Sequence, residues 1–393
     1  MVALDAPSGR SNPAVEPVRV RPVSDNRALD EFIRLPNRLY GGEAGYVRPL
    51  LMERRTTLRF DKNPYFHHAK GQYWLAYRGV QVVGRISAQV DDVYLAQYQN
   101  DTGHFGLLDA EDDPDVFRAL TMTAEDWLRA RGMRRILGPF SLSTNEECGL
   151  LVDGFDVRPM MMMSFDPPYA GERLAAQGYT KAKDLIAYDY DILHAPPIGS
   201  QRFLDRTKAN SRVTVRMVDM SRYRADLAVI LDIFNDAWSE NWGFVPLTEA
   251  EVAHTADSIK PLIRQDFVWI AEVDCSPAAM IVGLPNLYEA IADLDGRLLP
   301  FGWAKLLWRL KMSRLQTCRV VLMGVRKQYH RSPLGSALTL LVLETLRKSF
   351  RKAGMRHAEL SWILEDNMPM RRIIESIGGQ QYKTYRIYEK ALT

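Results

Sequence analysis

Apolar and polar residues alternate along Tyr73–Asp92 (YWLAYRGVQVVGRISAQVDD), and the alternation breaks at Arg78-Gly79, the pattern of two strands joined by a tight turn. Phe267–Leu284 (FVWIAEVDCSPAAMIVGL) repeats that pattern, with its break around Cys275-Ser276-Pro277. After each hairpin the period changes. DPDVFRALTMTAEDWLRARG and PLGSALTLLVLETLRKSFRKAG carry apolar residues at three- and four-residue spacing, which predicts helices, and each leads into a short strand, RRILGPF or RHAELSW. A turn of aromatic-Val-Pro-Leu type precedes both hairpins, AGYVRPL at Ala44–Leu50 and NWGFVPL at Asn241–Leu247. Each set closes in the same way: Asp166, Pro168, Gly178 and Tyr188 recur as Asn367, Pro369, Gly378 and Tyr388, an offset of 200 or 201 throughout.

A constant offset over four landmarks predicts two copies of one unit. The expected fold is α/β: two tandem units of about 180 residues, each a mixed central sheet flanked by helices, with clefts between and within the halves. The boundaries read as a disordered tail over 1–17, a first unit over 18–194, a polar connecting helix over 195–212 opened by Pro196-Pro197, and a second unit over 213–393.

Composition narrows the class. The 393 residues are 47% hydrophobic and 25% charged, which excludes a largely disordered or membrane-embedded chain. A net charge of +3 is too small to argue for nucleic acid. Cys148, Cys275 and Cys318 are too few and too scattered for a disulfide framework or a structural zinc site, and no His or Cys cluster has metal-ligand spacing, so no metal is expected. His67-His68 reads as a strand-entry pair. The acidic setting of Cys148 argues for a raised thiol pKa. No apolar run is long enough to span a bilayer, and the start of the chain has no basic segment followed by an apolar core. The expectation is a cytoplasmic protein, peripheral at the inner membrane at most.

Three differences between the copies carry the chemistry. The turn before the long helix is acidic in the first copy (Asp109, Glu111, Asp112, Asp113) but basic in the second, where Arg326, Lys327, His330 and Arg331 precede Gly335-Ser336. Cations are unfavourable at a helix N-terminus unless an anion joins them, so the second copy is the one fitted to hold a phosphate. The second copy also gains a segment before that turn. Gly296–Leu343 contains no Asp or Glu but nine Lys or Arg, and its helix sets Leu299, Trp303, Leu306, Leu307 and Leu310 against Lys305, Arg309 and Arg314, a pattern that suits an anionic membrane surface through 297–316, the wall of a long acyl-chain groove, or a core helix with Lys and Arg stems laid along it. The first copy gains SLSTNEECGLLVDGFDVRPMMMMSF. It crowds Ser141, Ser143, Asn145, Glu146, Glu147 and Asp153 toward the cleft, while Met160–Met163 reads as a buried strand.

VVLMGVRKQYHRSPLGSAL resembles the coenzyme A loop of the GNAT acyltransferase superfamily, a strand followed by Arg/Gln-x-x-Gly-x-Gly/Ala at a helix start. His330 stands where Arg or Gln is usual and Pro333 where the first Gly is usual, while Gly335 keeps the second. EDNMPMRRIIESIGGQQYKTYRIYEK resembles the family's closing segment, with Ile374 where many members carry an acid Tyr. GPFSLSTNEECGLLVDGFD, PPY, KAKDLIAYDYD and NWGFVPLTEAE are similar to a bacterial family of tandem GNAT-like proteins that includes acyl-CoA-dependent ceramide synthases, a likeness that covers Val18–Lys390.

The resemblance implies transfer of a long-chain acyl group from acyl-CoA, the co-substrate, to the amine of a sphingoid base. Met323, Gly324 and Val325 would polarise the thioester, while Arg326, Lys327, His330, Arg331, Gly335, Ser336 and Asn367 would hold coenzyme A. Ser143, Asn145, Asn241 and Trp242 would contact the acceptor. Glu146, Glu147, Asp153, Glu359 and Glu365 are the candidate bases. Tyr385, with Tyr382 and Tyr388 as alternatives, is the candidate acid. Acetylation of a small amine or peptide, and acyl-CoA binding without catalysis, remain open at this level.

Overall fold

The computed structural model describes residues 16–198, 212–311 and 315–392, so nearly all of the expected 1–17 tail and most of the 195–212 join lie outside the described residues. The first half runs β1 (Val18–Pro22), β2 (Ala69–Arg78), β3 (Gln81–Asp91), β4 (Thr102–Ala110), β5 (Arg135–Gly138), β6 (Leu150–Asp153) and β7 (Thr180–Asp191). The second runs β8 (Val213–Met217), β9 (Val268–Val273), β10 (Ser276–Pro285), β11 (Thr317–Val325), β12 (His357–Leu364) and β13 (Gln380–Ala391). In each half four strands pair antiparallel in sequence order and the fifth joins parallel to the fourth, β5 to β4 and β12 to β11. The repeat legible in the sequence is therefore a repeat of topology.

Local signals account for the helices that brace this sheet. Asp113 caps the helix Pro114–Arg129 by accepting from Asp115 N at 2.9 Å, proline occupies the first turn, and Val116, Phe117, Leu120, Ala124 and Leu128 are buried against the strands. Ser332 caps the helix Pro333–Lys352 in the same way, with Gly335 N donating to its Oγ at 3.0 Å. Leu338, Leu341 and Val342 on that helix are fully buried, each stabilising the fold by about 2 kcal/mol.

The thirteen strands among the described residues form one sheet, ordered β1-β2-β3-β4-β5-β13-β7-β12-β11-β10-β9-β8, with β6 pairing to β13. The two halves exchange their final strands. β13, the last strand of the second half, lies antiparallel to β5 of the first half, and β7 lies antiparallel to β12 of the second. The two exchanged strands pair with each other along Gln380–Glu389, and this seam joins the copies through backbone hydrogen bonds. Met160–Met163 is a turn rather than the expected strand: Met162 stands at φ 62° and lines a cavity, half-exposed, while Met160, Met161 and Met163 stay buried.

Candidate active site

The parallel pairing of β11 with β12 runs from Thr317/His357 to Val320/Leu360 and then stops. Beyond that point a cavity of about 190 Å³ opens between the strands. Val321 and Leu322 of β11, Ser361 and Trp362 of β12, Leu284 of β10, and Leu227, Leu231 and Phe234 of the helix Tyr223–Trp238 line it. The first half supplies its polar end, because the turn after β5 brings Ser143, Thr144, Asn145 and Glu146 to the cavity, and Asn145 Nδ2 donates to Val245 O at 3.0 Å.

Burial pushes the Glu146 carboxyl up to about 8, against an opposing pull from Arg54. Thr144 Oγ1 is buried on the same wall with no hydrogen-bond partner among the described residues. Across the cavity the helix Glu249–Ile259 presents Glu251 and, one turn on, His254. Burial raises Glu251, but hydrogen bonds from His68 and Thr248 outweigh it and hold the carboxyl below its usual range. His68 links the halves. Its Nδ1 lies 3.0 Å from Asp91 and its Nε2 3.3 Å from Glu251, and these two carboxylates push the imidazole up to about 10, so it carries a charge at neutral pH.

A buried polar network adjoins the cavity and reaches it through Arg319 of β11 and Ser361 of β12. Arg319 Nε donates to Ser361 Oγ at 2.8 Å and Nη1 to Met161 O at 2.8 Å, and the same Nε is 3.3 Å from Glu359. Glu359, wholly buried, also accepts from the Ser361 and Tyr382 hydroxyls. This network fixes Ser361 where β12 leaves β11.

At the far end of β11 the basic turn is held by acids of the helix Tyr223–Trp238 and its following turn: Arg326 pairs with Asp232, and Lys327 with Glu240 at 2.8 Å. Arg331 makes no ion pair among the described residues and sits at φ 54°, a left-handed conformation unusual for a side-chain-bearing residue. Gly335 is required where it stands, since a Cβ there would lie 2.1 Å from the Tyr329 carbonyl oxygen. Trp238 Nε1 donates to Met323 O at 2.9 Å, and on the β12 side Val321–Val325 has no strand partner among the described residues. Ser336 is exposed in the first turn of the long helix.

The cavity thus gathers Glu146, Ser143, Asn145, Asn241 and Trp242 from the expected set. Other expected residues stand elsewhere. Glu147 turns into a separate cavity of about 100 Å³ in the first half, where it pairs with Arg54. Asp153 is exposed at the end of β6. Glu359 is enclosed by its network. Glu365 pairs with Lys181 at 2.5 Å and accepts from Asp184 N at 3.1 Å. Asn367 caps the helix Met368–Ser376 by accepting from Met370 N at 3.3 Å. Tyr385 is wholly buried with an unpartnered hydroxyl, and neither it nor Tyr382 nor Tyr388 lines the cavity. Cys148 is indeed raised, to about 12, but by burial first and by its acidic neighbour only second.

Thr144, Glu251, His254, Arg319 and Ser361 were not singled out by the sequence. Glu251 and His254 had a signal, because acidic and imidazole side chains three apart on a capped amphipathic helix share a face. Arg319 had none, since a lone basic residue in an apolar strand discloses nothing of its partners. Among the described residues no group of three or more His, Cys, Asp or Glu could hold a metal ion, and no helix is long and apolar enough to cross a membrane.

No family model matches the chain. A tandem GNAT protein from the clavulanic acid biosynthesis pathway shares the fold, with a TM-score of 0.58 at 14% identity over 96% of this chain and 99% of that one. A GCN5-related N-acetyltransferase from Sphaerobacter thermophilus aligns with a TM-score of 0.52 at 13% identity over 95% and 96%. Among curated proteins, Protein YghO of Escherichia coli is 44% identical over 95% of both chains. The bacterial ceramide synthase of Caulobacter vibrioides is 49% identical over 95% of this chain and 97% of its own. At that identity and coverage the chain belongs to the family of the bacterial ceramide synthase, enzymes that are N-acyltransferases built on a tandem GNAT fold.

Proposed function

We propose that the enzyme transfers a long-chain acyl group from acyl-CoA to the primary amine of a sphingoid base, at the cavity where β11 and β12 part. The observation that carries this reading is the composition of that cavity: a wall of Leu, Phe, Val and Trp side chains ending at a carboxyl poised near 8. The relative's name, bacterial ceramide synthase, favours the same acceptor class.

In this reading the acyl-CoA thioester lies along the unpaired side of β11, where N–H groups near Met323–Val325 polarise its carbonyl. The basic turn at Arg326, Lys327, His330 and Arg331, with Gly335 and Ser336 at the helix start, takes the pyrophosphate. Asp232 and Glu240 then release cations to phosphate, an exchange that exposed pairs permit at little cost. Glu146 removes a proton from the acceptor ammonium, directly or through water. The free amine attacks the carbonyl carbon, the C–S bond breaks, and the proton shed by the attacking nitrogen passes to the departing sulfur, so that coenzyme A leaves as the thiol. A carboxyl raised to about 8 is a far stronger base than an ordinary one, so it meets the amine's demand near neutral pH. Thr144 Oγ1 and Ser143 receive the acceptor's hydroxyls, and Asn241 and Trp242 flank them. A lipid acceptor also requires the enzyme to reach a membrane surface as a peripheral protein.

Mass spectrometry of products formed from sphinganine, its 3-keto form and a mixed acyl-CoA pool tests this. Amides of long-chain bases are expected. Thiol release with polyamines or peptides and no long-chain amide would replace the proposal with the small-amine reading.

A further inference from the structure

Leu299, Phe301, Trp303, Leu307 and Trp308 are five large apolar side chains within ten positions, and all are exposed; Leu299 and Phe301 are 79% and 78% accessible. Their helix, Gly302–Lys311, is firmly seated, because its other side sends Leu306 and Leu310 onto the core. The exposed face is therefore a fixed surface rather than a frayed one. Trp303 Nε1 donates to Pro300 O at 3.1 Å, so this indole can enter an apolar phase without carrying an unpaired donor.

Charge selects the occupant. Lys305 and Arg309 flank the apolar face and share Asp293; Arg48 pairs with Asp295; Arg297 is exposed with no ion pair among the described residues. Four cations against two carboxylates leave the rim positive. A second copy docked through the same face would oppose like charges around its edge. A bilayer with anionic headgroups meets both requirements, taking the aromatic and leucine side chains at its interface and the cations at its phosphates.

We infer that Leu299–Lys311 is a membrane-docking element that seats the enzyme on an anionic lipid surface. It deepens the lipid reading above by naming the surface partner, while its own observations do not depend on the acyl-transfer chemistry.

Co-sedimentation of the full chain with phosphatidylcholine vesicles, with and without phosphatidylglycerol, tests the inference. The wild type should bind the phosphatidylglycerol vesicles at least about tenfold more strongly than the neutral ones, with binding weakened by salt. The double variant F301D/W308D should lose at least about tenfold of that binding with its melting temperature unchanged, since both side chains are exposed. Equal binding by the variant, or equal binding to neutral vesicles, overturns the inference. A wild type that ignores vesicles but sediments as a dimer, with the variant monomeric, also overturns it by assigning the face to a second copy. Vesicle binding without any long-chain amide product refutes the catalytic reading alone, and amide formation in detergent without vesicle binding refutes the docking alone.

Discussion

The same strand junction occurs twice in this molecule and is used in opposite ways. Where β4 and β5 part in the first half, Phe140 N donates to Phe105 O at 2.7 Å, and Gln89 Nε2 seals the gap by donating to Phe140 O at 2.9 Å and Leu142 O at 3.1 Å. Backbones there run so close that a Cβ on Gly106 would sit 1.7 Å from the Phe140 carbonyl oxygen. Strand register puts Leu284 at the position of Gln89 and Arg319 at that of His104. Leucine cannot make the seal, and the second junction stays open. Charge is inverted as well. In the first copy Arg38 and Arg78 hold Glu111 and Asp113, whereas in the second Asp232 and Glu240 hold Arg326 and Lys327. One copy thus presents carboxylates at this turn where the other presents cations. Duplication provided two equal junctions, and a few side chains decided which one can admit a ligand.

The largest test of that contrast sets adjacent residues against each other. Glu146→Gln should lower kcat by about a hundredfold or more, while Glu147→Gln, facing the other cavity, should cost stability and leave kcat of the folded enzyme within about threefold; steady-state kinetics with thermal melts separates the two. Because folding raises the Glu146 pKa, its ionisation opposes folding above the ordinary carboxylate range, so Glu146→Gln should melt no lower than wild type. The rate should rise with pH through about 8 in the wild type and lose that rise in the variant.

Next in size, Arg326→Glu with Lys327→Glu gives the second copy the charges of the first. KM for acyl-CoA should rise about tenfold or more with little change in kcat. Reversing Glu111 and Asp112 to Lys should leave KM unchanged. Thr144→Val should then cost about fivefold in kcat/KM for hydroxylated acceptors and little for the matching deoxy amine, a ratio that reports lost hydrogen bonding rather than lost packing. Smallest is the tie between halves. His68→Gln should lower stability by about 1–2 kcal/mol at neutral pH in denaturant titrations. The His68 pKa is raised on folding, so its contribution is complete below the unfolded value near 6.5 and is lost as pH rises through about 10, where variant and wild type should converge.

Periodicity and spacing made the repeat, the hairpins and the capped long helices legible, because each depends on neighbours in the chain. The strand exchange was not legible: β7 and β13 have the same pattern whichever half they join, and hydrogen bonds between strands leave no mark on either sequence. In the candidate site, Glu146, Ser143, Asn145, Asn241 and Trp242, which line one cavity, stood out in the sequence as a polar insertion and an aromatic turn. Glu359 was misleading. A carboxylate on a cleft-forming strand reads as a base until Arg319, forty residues earlier, is seen to enclose it. His68 misled in the opposite sense, since its two partners come from β3 and from the helix Glu249–Ile259, far apart in sequence.

The exchanged end strands also govern how the protein can be made. β5 is synthesised about 250 residues before β13, its neighbour in the sheet (Arg135–Gly138 against Gln380–Ala391). Until β13 is made, the first half has to wait with an open strand edge, the kind of surface that invites pairing with other chains. A fragment stopping at 198 should therefore aggregate when produced alone and recover when coexpressed with 212–393, as measured by soluble yield. The twelve-residue strand β13 therefore closes the sheet of both halves, and a chain that loses it leaves β5 and β7 each with an unpaired edge.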